Sequence, residues 1–426
     1  VGRAVVTAPL NVHCCVVGGG PAGMMLGFLL ARAGVSVVVL EKHADFFRDF
    51  RGDTIHPSTL EVIAELGLLE VFLQRPHQEL RTVGGQIGDR FVSIADFTHL
   101  PTRCKFLAFM PQWDFLNFLA QQGRRYPGFR LVMEAEVTEL IVEQGHVTGV
   151  RAKTSTGALE VRAPLVVGAD GRHSTVRERA GLEIVDLAAP IDVLWFRIPR
   201  RPGEPGQALG RVDSGRIMVM IDRGEYYQCG FVIAKGGFDT IRERGLAAFR
   251  DDIALLAPFV RDRLGELADW NAIKLLTVRV DRLRRWHRPG LLCIGDAAHA
   301  LSPIGGVGIN LAIQDAVAAA NILAKPLRSG AVTPEHLAHV HRRRALPTQV
   351  TQAVQVFLQD RVVGRVLRTT RRRIPVPLPL RMLQRWPALQ RIPARLVGIG
   401  FRPEHVHTPD VGTGDAVKRT VGSGRR

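Results

Sequence analysis

One stretch, His13–Ala33, admits few folds. An apolar run, His13–Val17, leads into Gly18-Gly19-Gly20-Pro21-Ala22-Gly23, and helical spacing follows to Ala33. Gly18 suits a tight turn, Gly20 lets backbone approach a pyrophosphate, and Gly23 allows a helix to lie close on a strand. Pro21 falls in the first helical turn, where its missing N–H costs nothing, and Gly34 closes the helix. The N-terminus of such a helix offers free N–H groups and partial positive charge to a phosphate. A second Val-rich strand, Val35–Leu40, ends at Glu41, 18 residues after Gly23. An acid there accepts hydrogen bonds from an adenosine ribose and disfavours a 2′-phosphate, so the site suits FAD or NAD rather than NADP.

Two later segments repeat the theme of an acid at the end of an apolar strand. The first is Gly168-Ala169-Asp170-Gly171-Arg172-His173-Ser174-Thr175-Val176-Arg177. The second runs from Gly295-Asp296 through His299, Pro303, Gly305, Gly306, Val307, Gly308 and Ile309 to Asn310, and opens the Ala-rich helix Ile309–Leu323. Singly, each acid is a common helix cap or turn residue. Three such sites in one chain, in this order, point to one ligand site at the carboxyl ends of a parallel sheet.

The rest of the 426 residues supplies the setting. Leu131–Val167 alternates apolar and polar residues between glycines, as an antiparallel meander does, and strand-like runs at 193–198, 217–221, 226–234 and 273–280 predict a second sheet. Five cysteines show no metal-ligand or CxxC spacing and are expected to be buried, reduced thiols of a cytoplasmic protein. No apolar run reaches the roughly 18 residues of a membrane span. The net charge is +17, and residues 342–426 carry 18 Arg or Lys against four acids, which is +14 of that excess. This region is expected to be a solvated arginine-rich surface, with no nucleic-acid partner. A peripheral membrane contact stays open, because Leu380, Leu383, Trp386 and Leu389 interleave with Arg381, Arg385 and Arg391.

The three motifs together resemble those of the single-component class A FAD-dependent monooxygenases, the para-hydroxybenzoate hydroxylase family, over about Val12 to Leu323. The family pattern GxGxxG falls on Gly18, Gly20 and Gly23. DGxxSxxR falls on Asp170, Gly171, Ser174 and Arg177. GDxxHxxxP with its following GxGxN loop falls on Gly295, Asp296, His299, Pro303, Gly306, Gly308 and Asn310. The resemblance implies an α/β fold: a Rossmann-like FAD-binding domain with an inserted mixed β-sheet substrate domain and a helical C-terminal region. The FAD domain would comprise 1–80, 102–182 and 286–346, and the substrate domain 81–101 and 183–285. Residues 347–406 would form the helical region and 407–426 a disordered tail.

It also implies non-covalent FAD, with NADPH or NADH as co-substrate. Gly18, Gly20, Pro21, Ala22, Gly23, Glu41, Lys42, Arg51, Gln112, Val137, Asp170, Gly171, Arg177, Gly295, Asp296, Pro303, Gly306, Gly308, Ile309 and Asn310 would contact the cofactor. The loop Pro303, Gly305, Gly306, Val307, Gly308, Ile309 and Asn310 would face the isoalloxazine ring. The implied reaction uses O2, through a C4a-hydroperoxyflavin, to hydroxylate an aromatic, hydrophobic or polyketide-like small molecule, by a monomer or homodimer. Tyr226 or Tyr227 is the candidate substrate contact; adjacent on a strand, they face opposite ways. Within the same fold an FAD reductase is the rival. A halogenase is disfavoured, since of its WxWxIP signature only Ile198-Pro199 is present in Leu194–Pro199. A membrane-surface binding protein is the rival of another class.

Overall fold

The computed structural model describes residues 8–47, 54–204, 209–369 and 376–412. Its organising element is a six-stranded sheet in the order His287–Arg288, Leu291–Cys293, Leu165–Gly168, Cys14–Val17, Val37–Leu40, Phe129–Val132. All neighbours are parallel except the first pair. The four-residue strands Cys14–Val17, Val37–Leu40 and Leu165–Gly168 are buried along their whole length, the pattern of a parallel sheet covered on both faces. Helix α1 (Pro21–Arg32) packs on it, followed in the chain by α2 (Pro57–Glu65), α3 (Gln112–Gly123), α4 (Thr175–Arg179) and α5 (Gly308–Arg328). The expected meander is present as strands 136–143, 146–154 and 157–162, with Leu10–Asn11 beside the last.

A seven-stranded sheet, ordered 274–276, 191–199, 226–234, 216–222, 209–213, 82–87, 90–96, forms the second unit. One face buries Leu194, Phe196, Tyr227, Cys229 and Phe231 against Phe249, Ile253 and Val260. The opposite face carries Val193, Trp195 and Val232, which meet Ile304. All five cysteines are free and buried.

Two boundaries differ from expectation. The sequence places the start of a new region at Pro347, yet α6 (Pro334–Leu358) runs straight through it, with Pro347 buried inside the helix. The second difference lies in the tail: residues 407–412 dock in extended form. The Arg32 guanidinium donates to the Thr408 carbonyl at 2.7 Å and pairs with Asp410 at 3.4 Å, and Asn321 Oδ1 accepts from His407 N. Polar side chains on α1 and α5 satisfy this backbone, which composition alone does not reveal. After α6 come α7 (Leu378–Arg385) and α8 (Arg391–Gly398), which lie over the 90–96 edge strand.

Among the described residues, one segment, Ile304–Arg328, is long and apolar enough to cross a membrane, and its most apolar stretch is mostly buried within the fold.

Candidate cofactor site

Parallel pairing puts the expected strand ends side by side. Val17 pairs with Leu40 and with Gly168, and Gly168 pairs with Cys293. Backbone bonds continue beyond the ladder: Gly18 N donates to Leu40 O at 2.7 Å, Ala169 N to Val17 O at 2.7 Å, and Ile294 N to Gly168 O at 2.9 Å. Gly18, Glu41, Asp170 and the Gly295-Asp296 turn therefore leave one edge of one sheet.

The glycines at this edge separate by what surrounds them. Gly18 has φ +107°, and a Cβ there would strike the Ala169 carbonyl; a Cβ on Gly23 would strike the Gly18 carbonyl. Both are demanded by packing. Gly20 has nothing within 4 Å of its Cβ position, so the space before α1 is open to a ligand, and no side chain caps that helix. Ala22 is buried with its Cβ 3.0 Å from the Cβ position of Gly295, whose φ is +58°, which locks the third motif against the first. Glu41 is nearly buried; its Oε2 accepts from Gly19 N at 2.9 Å and its Oε1 from His43 N at 3.1 Å. Lys42 is exposed beside it. Val137 is buried next to this turn, where Ala135 N donates to the Glu41 carbonyl.

The Asp170 motif turns inward. Asp170 Oδ1 accepts from the Ser174 hydroxyl at 2.5 Å and Oδ2 from Val176 N at 3.1 Å, while Ser174 Oγ accepts from Arg177 N and caps α4. Burial raises the Asp170 carboxyl above its ordinary range, against the hydrogen bonds that lower it. Arg177, expected to contact the cofactor, is buried, with Nη1 3.3 Å from Asp281 Oδ1 and Nη2 donating to the Arg172 carbonyl. Its guanidinium ties α4 to Asp281 on strand 281–283, which pairs with 184–186 and 299–300 in a small sheet of its own; Asp281 is not part of the motif. Gly171 sits at the turn with φ +84° and open space around it. Arg172 reaches across to Asp296 at 3.5 Å, and Asp296 keeps 31% of its side chain exposed at the edge.

The loop before α5 has the shape its glycines permit. Gly305 and Gly306 have φ +80° and +63°, and the Cβ positions of Gly305 and Gly308 face open space or only Val307. Pro303 and Val307 are half-buried, and Ile309 is buried. Asn310, also buried, does not project outward: its Oδ1 accepts from Ser58 Oγ at 2.8 Å and Thr59 Oγ1 at 2.6 Å, tying α5 to α2. No side chain caps α5 either. Gln112 begins α3, half-buried. Arg51 lies outside the described residues.

Beneath the site is a charge network that the motifs do not announce. Asp315 on α5 binds His299 Nε2 at 2.6 Å, Gly295 N at 3.1 Å and Arg344 Nε at 2.9 Å, and Arg344 continues to Glu404 at 3.4 Å. Burial alone would raise the Asp315 carboxyl, but His299 and Arg344 outweigh it and hold the group below its ordinary value. Asp315 thus braces the Gly295 turn. The only sequence signal for it was an acid at a helix position otherwise filled by alanines.

Of the two tyrosines, Tyr227 is packed edge-on to Phe259 in the helix-side core. Tyr226 lies on the other face, 4.9 Å beneath the Arg197 guanidinium. That face holds Trp195 flat across Gly230, whose Cβ position is 3.2 Å from the indole.

These features fit a dinucleotide: an open glycine cradle, two uncapped helix N-termini and an acid beside the first. They define a dinucleotide-binding α/β protein with a second sheet over one edge. The FAD binding domain family matches residues 11–354. The 6-methylpretetramide 4-monooxygenase of Streptomyces rimosus is 34% identical over 395 residues, covering 91% of this chain and 92% of that one. A rifampicin monooxygenase of Streptomyces venezuelae is 29% identical, over 71% of this chain but only 61% of its own length. Among solved structures, the p-nitrophenol 4-monooxygenase of Pseudomonas putida superposes with a TM-score of 0.72 at 19% identity, covering 91% of this chain and 94% of that one; this likeness speaks for the fold. The chain belongs to the FAD-binding-domain family and is an FAD-dependent monooxygenase.

Proposed function

We propose that this protein hydroxylates an aromatic, polyketide-like small molecule at the expense of NAD(P)H and O2. The observation that carries the reading is the convergence of the Gly20 cradle, Glu41, Asp296 and the Gly305–Gly308 loop on one sheet edge, facing a second sheet floored by Trp195. The relative with 34% identity over nearly the whole chain, named for a pretetramide substrate, supports the substrate class.

Bound FAD would supply the redox chemistry; the chain supplies position and dryness. Glu41 would take the adenosine ribose, α1 the pyrophosphate, and Asp296 the ribityl end. The amides at the start of α5 would face the pyrimidine side of the ring, where negative charge gathers on reduction. Trp195, Val193 and Val232 would give the substrate an apolar, water-poor floor, which oxygen transfer needs. Tyr226 and Arg197 are at the polar rim of that floor, and Tyr227 is not part of it.

For the pyridine nucleotide, the supporting observation is a cationic cluster beside Asp296. Partial burial and the charges of Arg279, Arg172, Arg177 and Lys42 all lower the pKa of His173. Of these, Lys42 and Arg279 are exposed, and their charges suit the phosphates of NADPH or NADH. The buried, unpaired thiols support a cytoplasmic setting, for a monomer or homodimer.

A specific surface favours a second, additional contact. Leu378 and Met382 on α7 and Trp386 just after it are exposed at four-residue spacing, and on α8 Ile392 and Leu396 repeat it. Arg381, Arg385, Arg391 and Arg395 flank them and form no ion pair among the described residues. This is the pattern of a helix that rests on an anionic membrane surface, a place to meet an apolar substrate. The decisive test of the main reading is mass analysis of the product of NAD(P)H-dependent turnover.

A further inference from the structure

His56, the residue that opens α2, is fully buried, and both of its ring nitrogens face backbone carbonyl oxygens. Nδ1 lies 2.7 Å from Val397 O and Nε2 3.0 Å from Gly306 O. A carbonyl oxygen only accepts. A neutral imidazole has one N–H, so it satisfies one contact and aims a lone pair at the other oxygen; only the imidazolium donates to both.

The two partners belong to different parts of the machine. Gly306 lies in the loop beside the flavin site, and the flank of its Cβ position is occupied by Thr54 Oγ1 at 3.1 Å and His56 Nε2 at 3.8 Å. Val397 is in the last turn of α8, where carbonyls lack helical partners and a cation is favoured by the helix dipole. A cavity of about 30 Å3 between Val307, Asn310, Leu396 and Val397 separates the same two elements elsewhere, so the ring is a principal link between them.

Among the described residues, no charged side chain acts on this ring. Glu61 and Glu65 of α2 bind Arg103 N and the His405 segment, and Arg391 and Arg395 of α8 are exposed. Strands 54–55 and 107–109 and the 303–306 loop carry no titratable residue. Burial pushes the His56 pKa down and the two carbonyls push it up, with the net direction down from 6.5.

We propose that His56 is a positioning residue for the flavin-facing loop, its imidazolium tying the Gly306 carbonyl to that of Val397, so that loss of one proton frees one end of the tie. The loop's role rests on the reading above, so the first test does not use turnover. Nitrogen-15 NMR of histidine-labelled, FAD-loaded protein should show one ring, absent in His56→Gln, with both nitrogens protonated in mildly acidic buffer and one deprotonated as pH rises. A single protonated nitrogen throughout the folded range overturns the proposal. In parallel, flavin fluorescence of His56→Gln and His56→Phe should change several-fold less steeply with pH than that of the wild type. Equal pH dependence in wild type and both variants, with each variant folded by circular dichroism, also overturns it. If the two-proton ring is seen but no substrate is oxygenated, the tie stands and the hydroxylase reading falls.

Discussion

Asp315 and Arg344 meet at 2.9 Å with side chains at most 1% exposed, joining α5 to α6 directly beneath the Gly295 turn. Removing one partner strands the other's charge in the core, which costs about 3–5 kcal/mol. Arg344→Met and Asp315→Ala are each expected to lose that much in urea unfolding of the FAD-loaded protein. Because the Asp315 pKa is depressed on folding, its contribution is complete above the unfolded carboxylate value and is lost as pH falls through the folded one. The stability gap between wild type and Asp315→Asn should therefore shrink in acid, below about pH 4.

The two glycines of the first loop should fail in different ways. Gly23→Ala drives a methyl into the Gly18 carbonyl and is expected to destabilise the fold by at least about 1–3 kcal/mol. Gly20→Ala meets open space in the protein alone, so its melting temperature without cofactor should match wild type while FAD affinity falls. Calorimetric titration of FAD into both variants checks the split.

Glu41 is already engaged by the amides of Gly19 and His43, which aims its carboxylate at the cradle. Hydrogen bonds to a charged group are worth about 1.5–3 kcal/mol. Glu41→Ala is thus expected to weaken FAD binding by about 10–100-fold, read by fluorescence quenching.

If the cluster around His173 receives the pyridine nucleotide, Arg279→Ala should raise the KM for NAD(P)H with little change in kcat. The defect should narrow with added salt, as screening removes what the wild type gained. Unchanged KM at low ionic strength would assign the cluster to structure.

Each arginine near an anionic bilayer contributes about 1 kcal/mol. Replacing Arg381, Arg385, Arg391 and Arg395 together by Gln should cut binding to phosphatidylserine vesicles by on the order of a thousandfold. Wild-type protein that leaves such vesicles unbound at low salt removes the membrane contact.

The sheet, its order of loops and the cradle were legible because they rest on local signals: glycines where φ is positive or a Cβ collides, and apolar runs ending in an acid. Side-chain roles were less so. Arg177 and Asn310 occupy motif positions, yet their groups are spent on Asp281 and on Ser58 and Thr59, partners up to 252 residues away that no spacing rule couples. Residues 407–412 read as a loose polar tail because their partners, Arg32 and Asn321, are distant in sequence. Pro347 read as a boundary because proline disfavours helix interiors, while tertiary packing kept α6 continuous.

Oxygen transfer by the FAD-loaded enzyme is the step that defines its activity. Turnover of an aromatic polyketide acceptor with NAD(P)H under oxygen-18 gas, followed by mass spectrometry, should give a product heavier by a single labelled oxygen atom. A product without the label, or undiminished substrate conversion when O2 is withheld, would contradict it.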